Sequence, residues 1–145
     1  MTDPPATYRR GEFTVSTDRT RLDVDDALAL LRTTFWARTL SRDVLARAMA
    51  DSISFGCYRG ARLIGFARVV TDLATYAYWT DVVVAPEYRG RGLGEWLGRC
   101  MLEHPQLQGL RRISLLTRDA ASLYRRLGFT GELGGLVYLE RSDPD

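Results

Sequence analysis

Several things are scarce in this 145-residue sequence, and each shortage excludes something. Only two cysteines occur, Cys57 and Cys100, without paired spacing. They suggest neither a disulfide framework nor a zinc site, and both read as small buried side chains. The single histidine, His104, stands before Pro105 at the end of a helical pattern and reads as a C-terminal cap. No apolar stretch reaches the roughly 18 residues of a membrane span. The opening Met-Thr-Asp-Pro-Pro lacks a basic region followed by an apolar run, so no secretory signal is expected and a cytoplasmic protein is the default. Charge of one sign is missing too. Twenty basic against 18 acidic residues leave a formal net charge of +2, too balanced to argue for nucleic acid binding across a whole face.

What is present is the composition of an ordinary globular protein, 46% apolar and 26% charged, at a length suited to a single domain covering 1–145 with an ordered core of about 12–140. Both termini are expected to fray, Met1 to Gly11 and Arg141 to Asp145. Phe13 to Ser16 suits a first strand. Asp23 then precedes Val24, Leu28 and Leu31 as a helix start, and Ser41 offers an N-cap for a second helix through Val44, Leu45, Ala48 and Met49. Ser52 to Tyr58 and Ala61 to Thr71 flank Arg59-Gly60 as a hairpin, with Tyr76 to Ala85 following as a third meander strand. Pro86 stops that strand. Leu93, Trp96, Leu97, Cys100 and Met101 recur at helical spacing. Arg112 to Leu116 suits a buried strand, and Asp119 to Leu127 a fourth helix stopped by Gly128. Phe129 to Thr130 and Leu136 to Glu140 are expected to complete the sheet. The result is an α/β fold, a mixed and mostly antiparallel sheet of about six or seven strands with four helices.

Arg89-Gly90-Arg91-Gly92-Leu93-Gly94 lies between a strand and a helix, where the first helical N–H groups lack intrahelical acceptors. Glycines let the backbone approach phosphate oxygens, and the helix dipole and both arginines add favourable charge, so a diphosphate is the natural guest. A Walker loop would need lysine and then serine or threonine where Glu95 and Trp96 stand. A Rossmann turn would follow a strand of a parallel βαβ unit, not an antiparallel meander.

The pattern resembles the GCN5-related N-acetyltransferase (GNAT) superfamily, whose signature of Arg or Gln, two residues, Gly, one residue, Gly or Ala is filled by Arg89, Gly92 and Gly94. Val82-Val83-Val84-Ala85-Pro86 before it and Leu123-Tyr124-Arg125-Arg126-Leu127-Gly128-Phe129 after it extend the resemblance, which covers roughly Ser52 to Glu140. It implies that acetyl-CoA is the co-substrate, with no metal. Val82, Val83 and Val84 would pair with the pantetheine amides, a bulge there turning an N–H toward the thioester carbonyl to stabilise the oxyanion. Arg89, Gly90, Arg91, Gly92, Leu93 and Gly94 would hold the pyrophosphate. Tyr124 matches the tyrosine that protonates the departing thiolate.

Asp81 interrupts the apolar run Trp79 to Ala85 and is the leading proton acceptor, with pairing to Arg68 as the alternative reading. Phe35, Trp36, Arg38, Tyr76, Tyr78 and Trp79 fall where the family binds its acceptor. Aromatics would favour a flat apolar or cation-binding pocket, Arg38 an acceptor bearing a carboxylate. The expected activity is acetyl transfer to a primary amine of a small molecule, or of a peptide, by direct attack in a ternary complex. A non-catalytic acyl-CoA-binding module is the main alternative, and a homodimer is left open.

Overall fold

A computed structural model describes residues 4–143. The elements run β1 (Thr7–Arg10), β2 (Phe13–Ser16), α1 (Val24–Leu31), α2 (Arg42–Ala50), β3 (Ile53–Arg59), β4 (Arg62–Thr71), β5 (Tyr76–Val84), α3 (Leu93–Glu103), β6 (Arg112–Leu115) and α4 (Ala121–Arg126). One six-stranded sheet has the order β1-β2-β3-β4-β5-β6. Every pair is antiparallel except β5 with β6, which is parallel. The fold is thus the mixed, mostly antiparallel α/β sheet with four helices.

Local chemistry sets the helix starts. Asp23 Oδ1 accepts from the N–H groups of Asp25 (2.7 Å) and Asp26 (3.2 Å), and Ser41 Oγ from Val44 N–H (3.2 Å), each satisfying donors that the first turn leaves open. Helix α1 packs on β4 and β5, α2 on β3, and α3 on β3 and β5. Strand β3 is consequently buried from Ile53 to Tyr58 without alternation. Leu31, Leu45, Phe55, Ile64, Phe66, Leu97 and Met101 form the fully buried centre of the core. Cys57 and Cys100 are buried there as free thiols, burial pushing each up to about 12.

Two expectations are corrected. Thr7–Arg10 is not frayed but pairs with β2 through the turn at Gly11. As an edge strand with mostly exposed side chains, it is held by backbone bonds that leave no apolar alternation in the sequence. At the other end, Phe129–Thr130 and Leu136–Glu140 add no strands. The latter segment has strand-like composition, yet Val137 and Leu139 are 78% and 87% exposed, because composition alone supplies no neighbouring edge. His104 stands where the sequence puts it, as the C-cap residue of α3, and it also starts the next turn. Its Nδ1 accepts from Gln106 N–H (3.1 Å), capping the short turn Pro105–Leu107, and its buried ring meets Phe55 edge-on.

Candidate active site

Strand β5 is irregular where Asp81 sits. Thr80 pairs with Arg68 and Val83 with Phe66, so Asp81 and Val82 together oppose the single residue Ala67. That two-against-one count is a β-bulge, and Asp81 takes φ +59°, a region that aspartate tolerates better than most side chains. Pairing of β5 with β6 runs only from Tyr76–Arg112 to Trp79–Leu115. Beyond it Thr80 to Val84 continue with no strand on that edge among the described residues. The bulge therefore opens a stretch of backbone able to receive an extended, amide-bearing ligand. It lies at Asp81–Val82, one step earlier than the Val82–Val84 segment that the sequence suggests.

The chain leaves β5 through the turn Pro86–Tyr88 and enters α3 across the glycines. Gly90 (φ +79°) and Gly92 (φ +76°) both need the left-handed region. A Cβ on Gly90 would meet nothing within 4 Å, and one on Gly92 only the Arg10 guanidinium. Gly92 is the N-cap of α3 and offers no side chain to its first turn, so this end of the helix is an open cradle of donors at the positive end of the dipole. Leu93 and Val83 turn their side chains into the core and leave only backbone to a ligand. The missing side chain of Gly94 makes room for Leu123, 3.4 Å from where its Cβ would be. Arg89 Nε donates back to Val84 O (3.1 Å), and Arg91 stands 5.0 Å from the Tyr88 ring centre. Arg10 Nη1 donates to Gly92 O (3.3 Å), which adds a residue of β1 that the sequence did not mark. Arg68 and Arg99 are occupied elsewhere, with Asp81 and Glu95 respectively.

Tyr124 lies on α4, edge-on to Trp79 (6.5 Å) and Phe129 (6.0 Å), and burial raises its phenol above the ordinary value of 10.0. Its helix is fixed to α3 by packing and by charge. Leu127 lies over Gly98, and Glu95 accepts from Arg126 Nε (2.6 Å) and Arg99 Nη2 (3.0 Å), hydrogen bonds that hold its carboxyl below the ordinary value.

On the other face of β5, Asp81 accepts from Arg68 Nε at Oδ2 (3.0 Å) and from Trp36 Nε1 at Oδ1 (3.3 Å). The ion-pair reading of Asp81 is therefore present in the fold, with both side chains largely buried. Phe35 meets Trp36 edge-on, and Arg118, from the loop before α4, stacks over Phe35 at 3.6 Å. Tyr76 bonds Ser114 across β5 and β6, while burial first, then Glu140, Tyr76 and Asp81, raise the Tyr78 phenol. Trp79 does not join them. Strand alternation turns it to the opposite face, where it is 2% exposed and packs in the core against α3. Arg38 is exposed and outside the cavity beside Asp81. Among the described residues no cluster of His, Cys, Asp and Glu is arranged for a metal, and no helix is long and apolar enough to cross a membrane.

The family described as "Acetyltransferase (GNAT) domain" matches residues 50–131. FG08082 of Gibberella zeae, whose name marks it as an unverified acetyltransferase, is 36% identical over 143 residues, covering 83% of this chain and 80% of that protein. The crystal structure of a GNAT-family protein from Xanthomonas campestris pv. campestris is 44% identical with a TM-score of 0.84, covering 91% of this chain and 94% of that one. The ribosomal-protein-S18-alanine N-acetyltransferase of Escherichia coli shares the fold at a TM-score of 0.70 with 23% identity, over 83% of this chain and 79% of its own.

Proposed function

The chain belongs to the GNAT acetyltransferase family, and from that premise we propose that it transfers the acetyl group of acetyl-CoA to a primary amine of a small molecule within a ternary complex. The observation that carries this reading is the β5 bulge at Asp81–Val82, set between an unpaired strand edge and the glycine cradle at the start of α3. Backbone of Val82 to Val84 holds the pantetheine arm as an added strand would be held. The N–H groups from Arg89 to Gly94, with Arg91 and Arg10 beside them, hold the pyrophosphate. When bound, acetyl-CoA supplies an activated acyl carbon and a thiolate leaving group.

The chain's own residues do the rest. An N–H freed at the bulge donates to the carbonyl oxygen as negative charge develops there. Asp81 has both oxygens engaged but keeps a lone pair on each, so it receives and orients the incoming ammonium, whose surplus proton passes to water. The nitrogen lone pair forms the C–N bond, the C–S bond breaks as Tyr124 gives its proton to the sulfur, and the second proton leaving the nitrogen returns through water to the Tyr124 phenolate. Thiol release from acetyl-CoA against a panel of small amines and amine-terminated peptides tests the proposal. Release that depends on amine supports it. Coenzyme binding with no release for any acceptor would instead favour an acyl-CoA-binding module.

A further inference from the structure

Beside the bulge, a cavity of about 270 Å³ lies between the α1–α2 connection, α2 and the β4–β5 pair. Five of its nine lining residues are aliphatic, Ala37, Leu40, Val44, Leu45 and Ala48, and the Trp36 indole and Thr39 stand beside them. Val44 and Trp36 are 45% and 47% exposed, so apolar surface at the rim is left uncovered by the described chain. The Arg68–Asp81 pair also lines the cavity, with side chains only 16% and 11% exposed, and it is neutral as a unit. A nitrogen bound to Asp81 therefore sits at the bulge while the rest of its molecule extends along hydrocarbon.

Charge decides what that body can be. Asp81 is the one carboxylate in the lining and Arg68 the one cation, each holding the other, so a second ammonium or a carboxylate on the body would give up hydration with no further charge to meet it. Arg38, the side chain that favoured a carboxylate-bearing acceptor, is not part of the lining. Hydroxyl-rich bodies fare little better, because Thr39 and Trp36 are the neutral polar side chains there and the Trp36 N–H already bonds Asp81. Size sets the other limit. An apolar cavity of about 150 Å³ accepts a benzene ring, so one nearly twice as large accepts a ring with a short amine arm, or a branched alkyl chain.

We infer that the acceptor is a primary amine with a small, uncharged, apolar body, an arylalkyl- or branched alkylamine, rather than a polyamine, an amino sugar or a peptide lysine. The inference rests on the acetyl-transfer reading above. Its test is steady-state thiol release from acetyl-CoA with 2-phenylethylamine and isopentylamine against phenylalanine, spermidine, glucosamine and a lysine peptide. The expected result is a kcat/KM at least 100-fold higher for the apolar-bodied amines. Val44→Glu, at an exposed rim position, is expected to raise their KM at least tenfold with acetyl-CoA affinity unchanged. Turnover that favours any of the polar or charged acceptors, or a V44E enzyme with unaltered KM, overturns the inference and leaves acetyl transfer standing. Absence of release with every amine overturns both.

Discussion

The Cδ1 atom of Leu127 stands 2.5 Å from the point that a Cβ on Gly98 would occupy. That approach seats α4, and Tyr124 with it, against α3 and Trp79. Gly98→Ala should gain up to ~1 kcal/mol from helix propensity, but overpacking typically costs ~1–3 kcal/mol. Trp79, 3.6 Å from the same point and itself buried, blocks the simplest escape. The expected outcome is a net loss of about 1 kcal/mol, a fall in Tm of about 3 °C, and reduced turnover with unchanged acetyl-CoA affinity. Thermal melts and coenzyme titration read these separately, and an unchanged Tm would mean that Leu127 yields without cost.

Tyr124→Phe removes one phenolic oxygen from an aromatic cluster that otherwise persists. Loss of a general acid costs about 10² to 10⁴-fold in rate, so kcat should fall within that range while coenzyme binding and Tm hold. Because burial raises this phenol above 10.0, it stays protonated throughout the neutral and mildly alkaline range. The wild-type kcat should therefore show no alkaline decline below pH 10 that disappears in the variant. A pH–rate series on both proteins checks this, and equal kcat values would take Tyr124 out of the reaction.

Asp81 and Arg68 should behave as a unit. Removing one member of a largely buried ion pair strands the other, at a cost of about 3 kcal/mol. Asp81→Ala leaves Arg68 with only a long contact from Nη1 to Ser52 Oγ (3.4 Å). Arg68→Met/Asp81→Leu replaces the pair with hydrocarbon and should recover most of the lost stability. Activity should not recover, since no carboxylate remains to receive the amine. Denaturant melts and thiol release on the two single variants and the double one decide whether the pair serves stability, chemistry or both.

How much of this was legible in the sequence follows from which signals are local. The caps at Asp23 and Ser41, the glycine turn and the stop at Gly128 each depend on a few adjacent residues, and they stand where the pattern puts them. The bulge left one trace, the aspartate inside an apolar strand, but its two-against-one register involves β4 and cannot be read from β5 alone. Which side of the sheet Trp79 takes was not legible, because alternation fixes which residues share a face, not which face meets the core. Arg10 was missed because an exposed edge strand carries no apolar pattern. Gly98 had a signal, a glycine in a helix interior, which costs enough to suggest close packing.

Glu95 ties α3 to α4 through Arg126, and its pH behaviour has a definite sign. Hydrogen bonds from Arg126 and Arg99 in the folded state lower its carboxyl below the ordinary 4.5. The folded protein thus binds that proton less tightly than the unfolded chain, and stability contributed by the ionised group is present above pH 4.5. It is lost as pH falls from there through the lowered folded value. Glu95→Gln should melt below wild type at pH 7, and the gap should close as pH drops under 4.5. Salt should narrow the gap at pH 7, because all three side chains are solvent-accessible. Melting curves from pH 3 to pH 8 at two ionic strengths measure both effects, and a gap that widened on acidification would contradict the assignment.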